Sequence, residues 1–259
     1  MATAARLRRW WRGSGASRAA KALLRLLPSQ AVLPILSGPL RGRKWIVRSS
    51  FESCWFGVYE REKQKEFAAA VRPGAVVYDV GANVGFYTLL AATLAGPRGR
   101  VYAFEPLPRN VRILTRHAAL NRLTNVHVFA GAVSDRPGTA RFEQGALPEM
   151  GRLSESGGIE VPTFQLDDLL AAGRIPPPDV VKIDVEGAEL GVLKGARSVL
   201  ARPGMRAFIE FHPAIWEMRG VSADAIRVEL AEQRLVPEPL DPALDIWQTE
   251  GIAVRLRRA

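Results

Sequence analysis

The segment Asp79-Val80-Gly81-Ala82-Asn83-Val84-Gly85 is where residue types and spacing point most directly to chemistry. Glycines at 81 and 85 allow a sharp turn and a close approach of backbone to ligand, and a helix starting just beyond them would offer free amides to an anionic or polar group. A nucleotide-like ligand suits that turn. The dinucleotide fingerprint is disfavoured, because Asn83 and Phe86 stand where its further glycines would be, and no Gly-Lys-Ser or Gly-Lys-Thr follows to make a Walker loop. About twenty residues further on, an apolar run ends in Glu105-Pro106, a place where a carboxylate can accept hydrogen bonds from ribose hydroxyls. A third constellation is Val180-Val181-Lys182-Ile183-Asp184-Val185-Glu186-Gly187-Ala188-Glu189. Here an apolar strand ends in an acid and Gly187 lets the chain turn, so Asp184 is a site candidate, with capping of the next helix as its plainer use.

These residues need a scaffold, and from residue 71 the sequence alternates short β-branched runs with helical patterns, the signature of βαβ units. Strands are predicted at 76–80, 100–104, 126–129, 179–184 and 206–211. Helices are predicted at about 84–94, 108–120, 188–200 and 222–233, with a short one carrying Asp167 and Asp168. The tail, 234–240 and 252–257, reads as an antiparallel pair closing the sheet. Between Gly131 and Pro162 the pattern weakens into Gly, Pro, Ser and Glu, with one extra strand near 139–143, which reads as a loop over the site or an insertion without function.

Charge divides the chain. Of 36 Lys and Arg residues, eleven fall in residues 1–50, which hold no Asp or Glu, and the remainder is nearly neutral, so the formal +10 belongs to the leader. The +10 therefore does not mark the globular part as a nucleic-acid binder, and no nucleic-acid partner is expected. Met1–Gln30 mixes arginines with Trp10, Trp11 and a leucine run, which suits a basic amphipathic segment on an anionic membrane, a solvated arm, or a transit peptide. No stretch reaches the ~20 apolar residues of a membrane span, and no export signal is read, so a cytoplasmic, soluble or membrane-peripheral location is expected. The single cysteine, Cys54, excludes an intramolecular disulfide. The division expected is a leader and lead-in segment at 1–50 and a domain at 51–259.

Taken together, Asp79–Leu90, Phe104-Glu105-Pro106, Ala132-Val133-Ser134-Asp135 and Lys182–Glu189, with Gly57-Val58-Tyr59-Glu60 upstream, resemble the FkbM family of methyltransferases, over roughly Gly57 to His212. The resemblance implies the class I methyltransferase architecture: an α/β, doubly wound, Rossmann-like, mostly parallel seven-stranded sheet with an antiparallel C-terminal strand. It also implies S-adenosylmethionine as cofactor and O-methyl transfer to a small molecule, sugar or glycan. By matching position, Asp79, Gly81, Ala82, Asn83 and Gly85 would surround the methionine moiety, and Glu105 with Pro106 would hold the ribose. Ala132 and Val133 would flank the adenine. Asp184 would lie near the cofactor amino group or the acceptor.

For proton removal three residues stand near the carboxyl edge: Asp184, Glu186 and His212, the last with an ordinary pKa near ~6.5 that suits neutral pH. His117 and His127 read as structural. Asp184, Glu186, Glu189, Glu210 and His212 could supply oxygen ligands and one imidazole to a metal, but their spacing is not diagnostic, and no required metal is expected. A binding protein that keeps the cofactor fold without catalysis is the competing reading, with a nicotinamide oxidoreductase behind it. The acceptor and the oligomeric state are left open.

Overall fold

The computed structural model describes residues 28, 30–144, 151–153 and 158–259. The leader segment and most of the stretch 145–157 lie outside the described residues, and so do the readings placed on them. Strands are β1 (Val32–Pro34), β2 (Lys44–Ile46), β3 (Val76–Val80), β4 (Arg100–Glu105), β5 (Val126–Ala130), β6 (Ala132–Val133), β7 (Gly138–Gln144), β8 (Gly151–Leu153), β9 (Ile159–Phe164), β10 (Val180–Ile183), β11 (Arg206–Phe211), β12 (Leu235–Pro239) and β13 (Ile252–Arg258). Seven of them form one sheet in the order β12-β13-β11-β10-β3-β4-β5. Pairing from β11 through β5 is parallel, and β13 runs antiparallel to both β11 and β12. This is the doubly wound sheet expected, and its chain order reverses beside β3, where such folds bind ligands at the carboxyl ends of the strands.

Apolar alternation explains why these strands are central. Val77 faces one layer of the core while Tyr78 and Val80 face the other, and every residue of β10 is buried. Helices cover both faces: Phe86–Ala95 and Arg61–Ala70 on one, Glu189–Gly195 and Ala223–Glu232 on the other. Pro108 opens the helix Pro108–Leu120 as predicted, and the Ser222 side chain accepts from the Ala225 amide to cap Ala223–Glu232. The helix read at 188–200 is broken at Ala196 into Glu189–Gly195 and Arg197–Leu200. Gly195 sits so close to the Ser134 carbonyl that a Cβ would lie 2.0 Å from its oxygen, and Asp167 caps the second piece through the amides of Ser198 and Val199.

Two regions differ from the sequence reading. The stretch after Gly131 is a second sheet, β6-β9-β7-β8, in which β7 pairs antiparallel with β9 and β6 runs parallel to β9. Two of its strands, β6 and β8, are two and three residues long, too short to show a period. Residues 32–49, grouped by charge with the leader, pack on the sheet domain: β1 and β2 form a hairpin, and Trp45 is buried in a stacked pair with His117, ring centroids 3.9 Å apart. The His117 ring ties that hairpin to the glycine loop, with Nε2 accepting from the Ile46 amide and Nδ1 donating to the Val84 carbonyl.

Candidate active site

The glycine loop closes the carboxyl end of β3. The amides of Gly81 and Ala82 both donate to the Phe104 carbonyl at 3.0 Å, and the Asp184 amide donates to Val80, which draws the ends of β3, β4 and β10 into one rim. Gly81 has φ +74°, and a Cβ there would meet the Asp184 carbonyl oxygen at 1.8 Å, so only glycine fits. Asn83 is also left-handed, at φ 51°.

Glu105 stands at the end of β4 beside this loop and is buried. Its Oε2 accepts from the Asn83 amide at 2.7 Å, and its Oε1 accepts from the Leu107 amide at 2.9 Å and from Asn110 at 3.2 Å. Burial outweighs those bonds and the nearby Lys182 charge, raising the Glu105 pKa to about 7. Two oxygens offer about four acceptor positions, so Oε2 keeps room for a hydroxyl donor.

A buried charge cluster lies on the opposite side of the loop. Lys182 pairs in register with Asp79 across β10 and β3, so both project to the same face. Its ammonium donates to the Gly81 carbonyl at 2.8 Å and lies 3.3 Å from Asp79 Oδ1, while Thr88 donates to Asp79 Oδ2 at 2.6 Å. Lys63, from the helix Arg61–Ala70, reaches Asp184 Oδ2 at 3.2 Å, Glu60 at 3.1 Å and Glu210 Oε2. Burial alone would depress both lysine pKa values; the carboxylates prevail, Asp184 and Glu210 for Lys63 and Asp79 and Asp184 for Lys182, and hold both ammoniums charged. Burial would raise the Asp184 pKa, yet Lys63, Lys182 and His212 hold it well below the usual carboxylate range. Behind this pair, His212 Nδ1 lies 2.8 Å from Glu189 Oε1, and Glu189 also accepts from the Trp216 indole and the Gly187 amide. Burial would lower the His212 pKa, but Glu189, Asp184 and Glu186 raise it to about 10.

One cleft joins these features. Of the residues singled out in the sequence, Gly81, Ala82, Asn83, Glu105, Pro106, Ala132, Val133, Asp184 and Glu186 line it. Asp79, Gly85 and His212 do not line it. Asp79 is enclosed behind the loop, Gly85 packs on Leu114, and His212 lies behind Asp184 and Glu186. Sequence reasoning gave no role to Lys63, Lys182, Asn110, Phe51 or Tyr59. A lysine inside an otherwise apolar strand was the available signal for Lys182, since a buried ammonium requires partners. Phe51 and Tyr59 stack at 6.1 Å and wall the cleft from the N-terminal side.

The family described as the methyltransferase FkbM domain matches residues 79–235. A hexuronic acid methyltransferase of Haloferax volcanii, AglP, is 33% identical over 142 residues, covering 54% of this chain and 57% of that protein. The 31-O-demethyl-FK506 methyltransferase FkbM of Streptomyces tacrolimicus is 33% identical over 159 residues, covering 48% and 60% respectively. The chain thus spans about three-fifths of the length of these curated relatives. A provisionally assigned rRNA methylase from Clostridium thermocellum superposes with a TM-score of 0.50 at 14% identity, over 77% of this chain and 96% of that one, a likeness of fold.

Proposed function

The chain belongs to the methyltransferase FkbM domain family, and on that premise we propose that it is an S-adenosylmethionine-dependent methyltransferase acting on a hydroxyl oxygen of a small molecule, sugar or glycan. The observation that carries this reading is the carboxylate of Glu105, buried at the rim beside Gly81–Asn83 with acceptor capacity left toward the cleft. Bound S-adenosylmethionine supplies an electrophilic methyl carbon on a sulfonium.

The residues present fit that group. Glu105 would accept a ribose hydroxyl, Ala132 and Val133 would offer an apolar wall to a flat base, and the bare Gly81 would let the methionine portion approach the backbone. Asp79 does its work from behind, by fixing Lys182 and so the Gly81 carbonyl. The acceptor end of the cleft is then the side lined by Asp184 and Glu186, with His212 behind them. Transfer requires an acceptor oxygen held in line and relieved of its proton. Glu186, at the cleft wall and partly exposed, is the group placed to take that proton; Asp184 is tied to Lys63 and His212 is shielded. The basic leader is assigned a peripheral contact with anionic membranes, which sedimentation with phosphatidylserine vesicles would register.

Calorimetric titration of the purified protein with S-adenosylmethionine and S-adenosylhomocysteine tests the cofactor assignment. Both should bind, and Glu105→Ala should abolish both while thermal melting shows the variant folded. No heat with either ligand overturns the reading. A screen of sugar and polyketide hydroxyls with labelled methyl donor then identifies the acceptor.

A further inference from the structure

The geometry points to a divalent-cation site formed by Asp184, Glu210 and His212, with Glu186 at its edge, that holds the oxygen of the acceptor. One ligand atom from each of the first three lies within 4.8 Å of the others. Asp184 follows β10, Glu210 is the penultimate residue of β11 and His212 follows that strand, so neighbouring parallel strands bring them to the same rim.

The oxygens divide into two sets. Lys63 takes Asp184 Oδ2 and Glu210 Oε2. The other oxygen of each acid turns toward His212 Nε2, Asp184 Oδ1 at 3.9 Å and Glu210 Oε1 at 3.7 Å, and Glu186 Oε2 stands at 3.7 Å as well. These separations are too long for hydrogen bonds. At metal–ligand distances of ~2.1–2.4 Å, ligand atoms stand ~3–3.4 Å apart when adjacent, so these side chains converge on one point and would draw together by a few tenths of an ångström, about 0.3–0.9 Å, to share one ion. Lys63 therefore acts as the orienter of two carboxylates and does not fill the place they converge on.

The way His212 is held points the same way. The His212 side chain is 5% exposed, and among the described residues its Nε2 makes no hydrogen bond. Nδ1 is held by Glu189, a fully buried carboxylate fixed in turn by Trp216 and Gly187. A carboxylate that fixes the far nitrogen of a histidine and aims the near one is the usual support of a metal-bound imidazole. Charge agrees: Glu60, Asp184 and Glu210 surround Lys63, Asp184 also lies near Lys182, and Glu186 and Glu189 flank His212, so five carboxylates face three basic groups, an excess that a divalent ion would offset. Oxygen donors with one imidazole favour manganese or magnesium over softer metals. Because Asp184 and Glu186 also line the cofactor cleft, the ion would face the acceptor. That role rests on the methyltransferase reading, whereas the binding itself does not.

The test uses the full chain stripped with chelator and titrated with Mn²⁺, followed by electron paramagnetic resonance. One tightly bound equivalent showing nitrogen coupling from an imidazole is expected in the unaltered protein, and Glu210→Gln should weaken it at least tenfold with S-adenosylhomocysteine binding retained. No bound equivalent, a bound ion without nitrogen coupling, or equal affinity in a folded Glu210→Gln variant overturns the inference. S-adenosylhomocysteine titrated into the same preparation separates the two claims. Cofactor heat without Mn²⁺ binding removes the metal site alone, and Mn²⁺ binding without cofactor heat removes the methyltransferase reading alone.

Discussion

Acidification should loosen this fold through His117, and the size of the effect follows from where that ring sits. It projects from the helix Pro108–Leu120, fully buried and stacked on Trp45, and burial, helped by Arg116 and opposed by the Val84 carbonyl, lowers its pKa from 6.5 to about 4. Above pH 6.5 the ring is neutral whether the chain is folded or not, and the proton contributes nothing. As pH falls through 6.5 the unfolded chain takes up a proton that the folded one refuses, so stability is lost progressively until about pH 4. At about 1.4 kcal/mol per unit the ceiling is ~3 kcal/mol, and at pH 5 the loss is ~2 kcal/mol. Glu105 and Glu210, both held up to about 7, titrate in the opposite sense over part of this range, so the raw acid curve of the unaltered protein is not the readout. The readout is the difference from His117→Gln, whose amide keeps a donor and an acceptor but does not ionise. Urea unfolding should show the variant less stable near pH 7.5, with the gap narrowed by ~2 kcal/mol near pH 5. An equal gap at the two pH values would refute the argument.

Three other outcomes are expected. If ionised Glu105 grips the ribose, S-adenosylhomocysteine affinity should fall about tenfold per pH unit below its raised pKa of about 7, and Glu105→Gln should flatten that dependence in calorimetry. Gly81→Ala should cost more than ~3 kcal/mol by urea denaturation, from the collision with the Asp184 carbonyl, whereas Gly74→Ala, also at positive φ but with open space around it, should cost only ~1–2 kcal/mol of backbone strain. Lys182→Met should strand the buried Asp79 carboxylate, cost ~3–5 kcal/mol in the same assay, and weaken cofactor binding through the displaced Gly81 carbonyl.

The legible parts of this molecule were those written locally. The five central strands announce themselves by apolar runs, and Asp79–Gly85 with Glu105 lie within one βαβ unit, so their meeting at one rim followed from strand order. The charge cluster was not legible, because Lys63 and Asp184 are 121 residues apart and Lys63 and Glu210 are 147 apart, and nothing in a single sequence pairs an ammonium with a carboxylate at that distance. The same reasoning covers His212: its ordinary pKa suggested a base, and only the fold brings Glu189, Asp184 and Glu186 around it. The second sheet was foreseen only at residues 139–143, since β6 and β8 are too short to carry a period.

That second sheet joins the cleft through the pairs Ala132↔Thr163 and Val133↔Phe164, and β7 brings Phe142 to the same cleft beside Ala132. A change on this sheet, at Phe142, therefore reaches the wall that Ala132 and Val133 form, so the second sheet and the cleft are shaped together.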